Sequence, residues 1–155
     1  MLRLRGKILA TVDNKGQLKL PAVFKVGVES SYNKKTEFFC GYHLAFFDDL
    51  STRCLYLMII WGSIEANLSV ISGTNNAKRR SLEVTACYGL EVDIDSKDRF
   101  LILQVLRGSA QLKDEVVILG QIDYLDICKY NLFNQRIAAD SLDADYLAIL
   151  AEFGI

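Results

Sequence analysis

The residues able to do chemistry in this chain are few, and they occur twice. Asp13-Asn14-Lys15-Gly16-Gln17-Leu18-Lys19-Leu20 returns 82 residues later as Asp95-Ser96-Lys97-Asp98-Arg99-Phe100-Leu101-Ile102. The aspartate and the lysine two places on are identical in both copies, and an apolar residue follows the fifth position. A helix-compatible run then ends in Lys25 in one copy and in Arg107 in the other. Asp13 and Asp95 are turn formers, because an aspartate side chain accepts from the backbone two residues on. Gly16 suits the last position of a type I turn. Two short polar turns make a twin binding surface rather than a catalytic cleft.

The chemistry that is missing points the same way. The chain has no Gly-rich phosphate loop, no G-x-S-x-G elbow, no H-E-x-x-H and no nucleophile beside a base. A non-enzymatic protein without cofactor or small-molecule substrate is expected. Cys40, Cys54, Cys87 and Cys128 form no C-x-x-C pair, and His43 is the single histidine, so no metal site is expected. Each cysteine has apolar neighbours, as buried free thiols in a reducing cytosol would. Trp61 and the aromatic group Phe38, Phe39, Phe46 and Phe47 read as core or interface, and His43 as structural or exposed.

Charge is segregated behind a formal net value of −1. Arg3, Arg5, Lys7, Lys15, Lys19 and Lys25 face only Asp13 within residues 1–25, whereas residues 140–155 carry Asp140, Asp143, Asp145 and Glu152 and no cation. A basic head and an acidic tail suggest that the head meets an anion. The N-terminus alternates charged and apolar residues, unlike a signal peptide. The longest apolar run, Leu55 to Trp61, is too short to span a bilayer. A cytoplasmic protein is expected.

The elements that must carry the turns follow from periodicity. Leu2 to Arg5 alternates as a strand, Ile8 to Val12 continues it in extended, β-branched fashion, Leu18 to Leu20 forms a second strand, and Pro21 starts a short helix that Gly27 ends. Glu37–Cys40 and Leu44–Phe47 read as a hairpin around Gly41, with Cys54–Leu57 as an alternative second arm and Asp48 to Arg53 looped out. Ile60, Ile64, Leu68 and Ile71 have helical spacing, Asn75-Asn76 caps or turns, and Ala77 to Tyr88 is a helix. The second half repeats the scheme: strands over Val92–Asp95 and Phe100–Ile102, a helix through Val105-Leu106-Arg107, and a hairpin around Gly120-Gln121. Helices near Lys129–Ala139 and Leu142–Phe153 close the chain. No Gly-, Pro- or Ser-rich linker separates the halves, so a single α+β globule is expected.

At this point the residues resemble the MraZ family. Asp13 to Pro21 and Asp95 to Ile102 are similar to its paired D-x-x-x-R turns, Asn76 to Arg80 to its helix before the second repeat, and Val105-Leu106-Arg107 and Lys113 to Gln121 to its K-E-V-x-L-x-G-Q segment. The resemblance covers about Arg5 to about Asn134, with extra residues between Phe47 and Cys54. It implies two AbrB-like swapped-hairpin half-barrel repeats (double-split β-α-β) packed as one pseudo-symmetric unit with additional C-terminal helices. The repeats would span 7–62 and 89–132, with connecting helices over 63–88 and a helical tail over 133–155. It further implies a ring-forming homo-oligomer associated with the nucleoid. Such a protein regulates transcription by binding double-stranded DNA at short direct repeats upstream of the division and cell-wall gene cluster.

The resemblance places the DNA-facing residues at Gln17 on the first turn and Arg99 on the second; Lys15 and Lys19 flank the first turn, and Lys97 and Arg107 cluster with Arg99 on the second, completing the expected DNA-binding set. Arginine suits the fifth position because its planar fork bonds phosphate or guanine twice. The first copy has Gln17 there, and the second keeps Arg99. A plainer reading makes Lys15, Lys19 and Lys97 solvated edge-strand charges. A rival function, prompted by Gln17, by Gln104 where the family has a proline, and by the apolar richness of the first half, is an oligomeric interaction protein that keeps the fold and has weakened or lost DNA binding.

Overall fold

Alternating burial makes Leu4–Val12 a strand, β1, and a continuous apolar run, Val116–Leu119, centres a second long strand, β7, at Asp114–Ile122. The computed structural model describes residues 3–31, 37–41, 52–102, 104–139 and 144–155. The remaining elements of the first half are β2 (Gln17–Lys19), α1 (Ala22–Ser31), β3 (Phe38–Gly41), β4 (Thr52–Leu57) and α2 (Met58–Ser69). α3 (Asn76–Tyr88) leads into β5 (Leu90–Val92), β6 (Arg99–Leu101), α4 (Gln104–Ala110), β7, β8 (Tyr124–Lys129), α5 (Tyr130–Ala139) and α6 (Ala144–Glu152). Asn75 caps α3 by accepting the Lys78 N–H at 3.0 Å, which satisfies one of the free donors of the first turn.

The architecture is α+β, and its strands pair antiparallel throughout. Six strands make one sheet in the order β1-β7-β8-β4-β3-β5, while β2 and β6 pair separately. Strands of the two halves are therefore interleaved: β1 lies on β7, β4 on β8, and β5 on β3. Read outward from the β4–β8 seam, the order is the same from either half. One core serves both: Leu18, Leu20, Phe24 and Leu55 pack with Phe100, Ile102, Leu112, Val116 and Ile127. On the other side of the sheet Phe39 stacks on Trp61, ring centroids 3.9 Å apart.

Four expectations need correction. Gly27 does not end the first helix, which continues to Ser31. A helix-interior glycine costs about 1 kcal/mol, and burial of Phe24 and Val28 on the same face offsets it. Gly120 and Gln121 are not a turn but lie within β7, near its end, and the reversal falls at Asp123. Gly120 is required there because a Cβ would lie 2.5 Å from the Arg5 nitrogen on the neighbouring strand. β3 takes β4 as its arm, the Cys54–Leu57 alternative, but Gly41 is in the strand opposite Cys54 rather than at a turn, and Thr52 and Arg53 are in β4 rather than in a loop. β5 stops at Val92, which lies opposite Phe38, the first residue of its partner β3. His43, Leu44–Phe47 and Asp48-Asp49 lie outside the described residues.

All four cysteines are free, with Cys40, Cys54 and Cys128 buried and Cys87 exposed. Burial pushes the Cys40 thiol up to about 12. Burial, and then the Asp126 carboxylate bonded at 3.1 Å, raise Cys54 well above the ordinary thiol range. Only the thiolate reacts. A thiol titration of the native protein between pH 7 and 9 should therefore modify Cys87 rapidly and the other three only after denaturation. Fast native labelling of Cys54, read by peptide mapping, would contradict this packing.

Candidate nucleic-acid interface

The two Asp turns share the same backbone hydrogen bonds. Asp13 Oδ1 accepts the N–H groups of Lys15 and Gln17, both at 2.9 Å. Asp95 Oδ1 accepts those of Lys97 at 2.8 Å and Arg99 at 2.9 Å. The Gly16 N–H reaches the Asp13 carbonyl at 3.0 Å, and the Asp98 N–H reaches the Asp95 carbonyl at 3.0 Å. Gly16 and Asp98 occupy the left-handed region, at φ +84° and +63°. Glycine enters it freely, and aspartate is among the few other residues that do so at modest cost.

Each strand leaving a turn pairs with its counterpart rather than with the strand entering the turn. Leu18 lies opposite Phe100, flanked by Gln17 opposite Leu101 and Lys19 opposite Arg99. Leu18 and Phe100 are buried. Alternation along a strand turns their neighbours to the other face, where Lys19 and Leu101 are exposed and Gln17 and Arg99 half-buried. Two further bonds close the ladder: the Leu20 N–H donates to the Asp98 carbonyl at 2.7 Å and the Ile102 N–H to the Gly16 carbonyl at 2.9 Å. The turns thus sit at opposite ends of a three-residue ribbon, roughly 10 Å long.

The outer face of this ribbon is cationic. Lys15 and Lys97 project from the turns and are exposed. Lys19 and Arg99 stand directly across the ladder from one another, a like-charge pairing that destabilises a sheet unless an anion lies between the two. Arg99 Nε is held by Asp95 Oδ2 at 3.3 Å. Arg107, half-buried, is turned toward the first turn, its guanidinium packed over Gly16. Two residues that sequence reasoning did not single out as functional, Lys25 and Asp98, form an ion pair of 2.7 Å beside the second turn. The signal for Lys25 was the 82-residue offset that relates it to Arg107.

Among the described residues no group of three His, Cys, Asp or Glu residues is placed to hold a metal ion, and no helix is long and apolar enough to cross a membrane.

Fold and surface together define a two-repeat α+β protein whose halves exchange strands to build one basic ribbon. No protein-family model matches the chain. It is 34% identical over 151 residues to the transcriptional regulator MraZ of Acidobacterium capsulatum, which covers 97% of this chain and 99% of that protein. It is 30% identical to the transcriptional regulators MraZ of Koribacter versatilis, over 97% of the chain, and of Escherichia coli O127:H6, over 93%. The chain belongs to the MraZ family.

Hydrogen bonds from the Arg99 backbone, then from Lys97, and the Arg99 charge lower the Asp95 carboxyl below its ordinary value. A depressed carboxyl stabilises the fold above the unfolded value, and that contribution is lost as pH falls through the folded one. The second turn should therefore stay formed at pH 4, near the ordinary aspartate value of about 3.9. Amide exchange at Lys97 and Arg99 should be slow there and fast in Asp95→Ala. Equal exchange in both proteins would show that the carboxylate does not hold the turn.

Proposed function

We propose that the protein is a DNA-binding transcriptional regulator whose β2–β6 ribbon faces the double helix. The observation that carries this reading is the Lys19–Arg99 pair, two cations set opposite each other between exposed Lys15 and Lys97. Phosphates are the anions such a face fits, and a two-stranded ribbon is narrow enough for a major groove about 12 Å wide. The contacting set is Lys15, Gln17, Lys19, Lys97 and Arg99, with Arg107 behind the first turn. Asp13, Gly16 and Asp95 hold the shape. Relatives named as transcriptional regulators along nearly the full length support the reading.

The finer expectations belong to the same proposal. The interleaved halves are taken as AbrB-like swapped-hairpin repeats over 7–62 and 89–132, with connecting helices at 63–88 and a helical tail at 133–155. The DNA is taken as short direct repeats upstream of the division and cell-wall gene cluster, reached in the cytoplasm at the nucleoid. Assembly into a homo-oligomeric ring is supported by α6, none of whose residues is buried and which presents Tyr146, Leu147 and Ile149 to solvent. No catalytic role is proposed.

Gln17 favours one second reading, an oligomeric interaction protein with weakened DNA binding. A salt series of binding to a promoter fragment with tandem repeats separates the two. A regulator gives affinity that falls steeply with salt, by about one unit of log–log slope per phosphate neutralised. Arg99→Ala should then cost roughly tenfold or more, the scale of one bidentate contact, and Gln17→Arg should tighten binding. Oligomers intact by light scattering with no binding at low salt would favour the scaffold. A Gln17→Arg protein that binds no tighter would show that the first turn faces elsewhere.

A further inference from the structure

The turn-and-ribbon unit is held from the wrong half, and twice. Helix α1 of the first half carries Lys25, whose Nζ lies 2.7 Å from Oδ1 of Asp98 on the second turn and 3.8 Å from Oε1 of its own helix neighbour Glu29. Helix α4 of the second half carries Arg107, packed so tightly on the first turn that a Cβ at Gly16 would lie 2.6 Å from its Cζ and Nε. The 82-residue offset that maps Asp13 onto Asp95 also maps Lys25 onto Arg107 and Gly16 onto Asp98. The two contacts are therefore one structural feature seen twice. In one copy the helix cation meets a carboxylate. In the other the turn residue has no side chain, and the guanidinium lies on the backbone instead, with Nε shielded from solvent and without a hydrogen-bond partner among the described residues.

We propose that Lys25 and Arg107 are positioning residues, each setting the DNA-facing turn of the opposite half, and that the Lys25–Asp98 pair locks the turn that carries Arg99. The proposal rests on the DNA-binding reading above. Its physical content is an exchange of supports. Asp98 is fixed by its carbonyl, which accepts the Leu20 N–H at 2.7 Å, and by its carboxylate on Lys25. Both partners belong to the first half. With its αL backbone and two foreign anchors, the second turn keeps a single conformation, and Arg99 at its end meets the DNA already ordered. A group that orders a contact lowers the conformational cost of binding without itself touching the ligand. Arg107 plays the same part for the first turn, where Gly16 is the residue that lets a guanidinium approach.

A contact residue and a positioning residue differ in one measurable respect. Losing a phosphate contact lowers the salt slope by about one ion, whereas losing a brace weakens binding at unchanged slope. The double variant Lys25→Met/Asp98→Asn removes the pair with no change in net charge, and asparagine still tolerates the left-handed backbone. Amide exchange of the DNA-free protein should rise at Ser96–Arg99 in this variant and stay unchanged at Asn14–Gln17. Arg107→Gln should do the converse. Affinity for the tandem-repeat promoter fragment should fall roughly two- to fivefold, the range of an exposed ion pair, with the salt slope preserved, and Lys25→Arg should behave as wild type. Unchanged exchange at Ser96–Arg99 in the double variant overturns the brace, as does a slope lowered by one unit in Arg107→Gln, which would make Arg107 a contact. Exchange readouts that follow the expectation in a protein whose wild type binds no DNA would keep the brace and remove the DNA-binding reading.

Discussion

Everything at the basic face depends on three residue pairs, Gln17–Leu101, Leu18–Phe100 and Lys19–Arg99. A three-residue strand cannot stand alone, and two of them in isolation would be marginal at best. They persist because Leu18 and Phe100 are buried in the common core, and because the Leu20 and Ile102 N–H groups close the ladder against the opposite turns. Burying two large side chains supplies roughly 3–6 kcal/mol, far more than either short strand's own propensity. The interleaving of the main sheet follows from the same arrangement. Once each half gives its short strand to the other, β1 finds β7 and β5 finds β3 as partners, and neither half retains a complete sheet.

That exchange also decides the electrostatics. Alternation fixes the ribbon's inner face as apolar and its outer face as the place for Lys19 and Arg99. Antiparallel register sets these two cations opposite each other rather than apart. The carboxylates nearby are partly committed elsewhere: Asp13 and Asp95 spend Oδ1 on turn N–H groups, Asp95 Oδ2 holds the Arg99 guanidinium at 3.3 Å, and Asp98 is spent on Lys25. The acids shape the turns and orient Arg99 and Lys25, while Lys15, Lys19 and Lys97 are left exposed. Membership of the MraZ family sits easily with such a division of labour.

Local geometry was legible in the sequence where one residue type has one strong preference. The Asp turns, the Asn75 cap and the helices after Leu57 and Asn75 were all readable in that way. The partner of β2 was not, because a strand with a single buried residue holds no information about which neighbour it chooses. The same ambiguity moved the reversal from Gly120 to Asp123, since a glycine needed for close strand approach and one needed for a turn look alike in a sequence. Gly27 was misread for a related reason: tertiary burial of Phe24 and Val28 overrides a local stop signal. The Lys25–Asp98 pair joins residues far apart in the chain. The repeat hinted at Lys25 but could not show what it would meet.

On the proposed reading, both turns form one DNA-facing surface through the exchanged ribbon. The most direct measurement is a residue-resolved amide chemical-shift map of the full-length protein titrated with a tandem-repeat duplex. Lys15–Lys19 and Lys97–Leu101 should shift together, at the same duplex concentration, while α6 stays silent. Shifts confined to a single turn, or centred on the C-terminal helices with both turns unmoved, would contradict it.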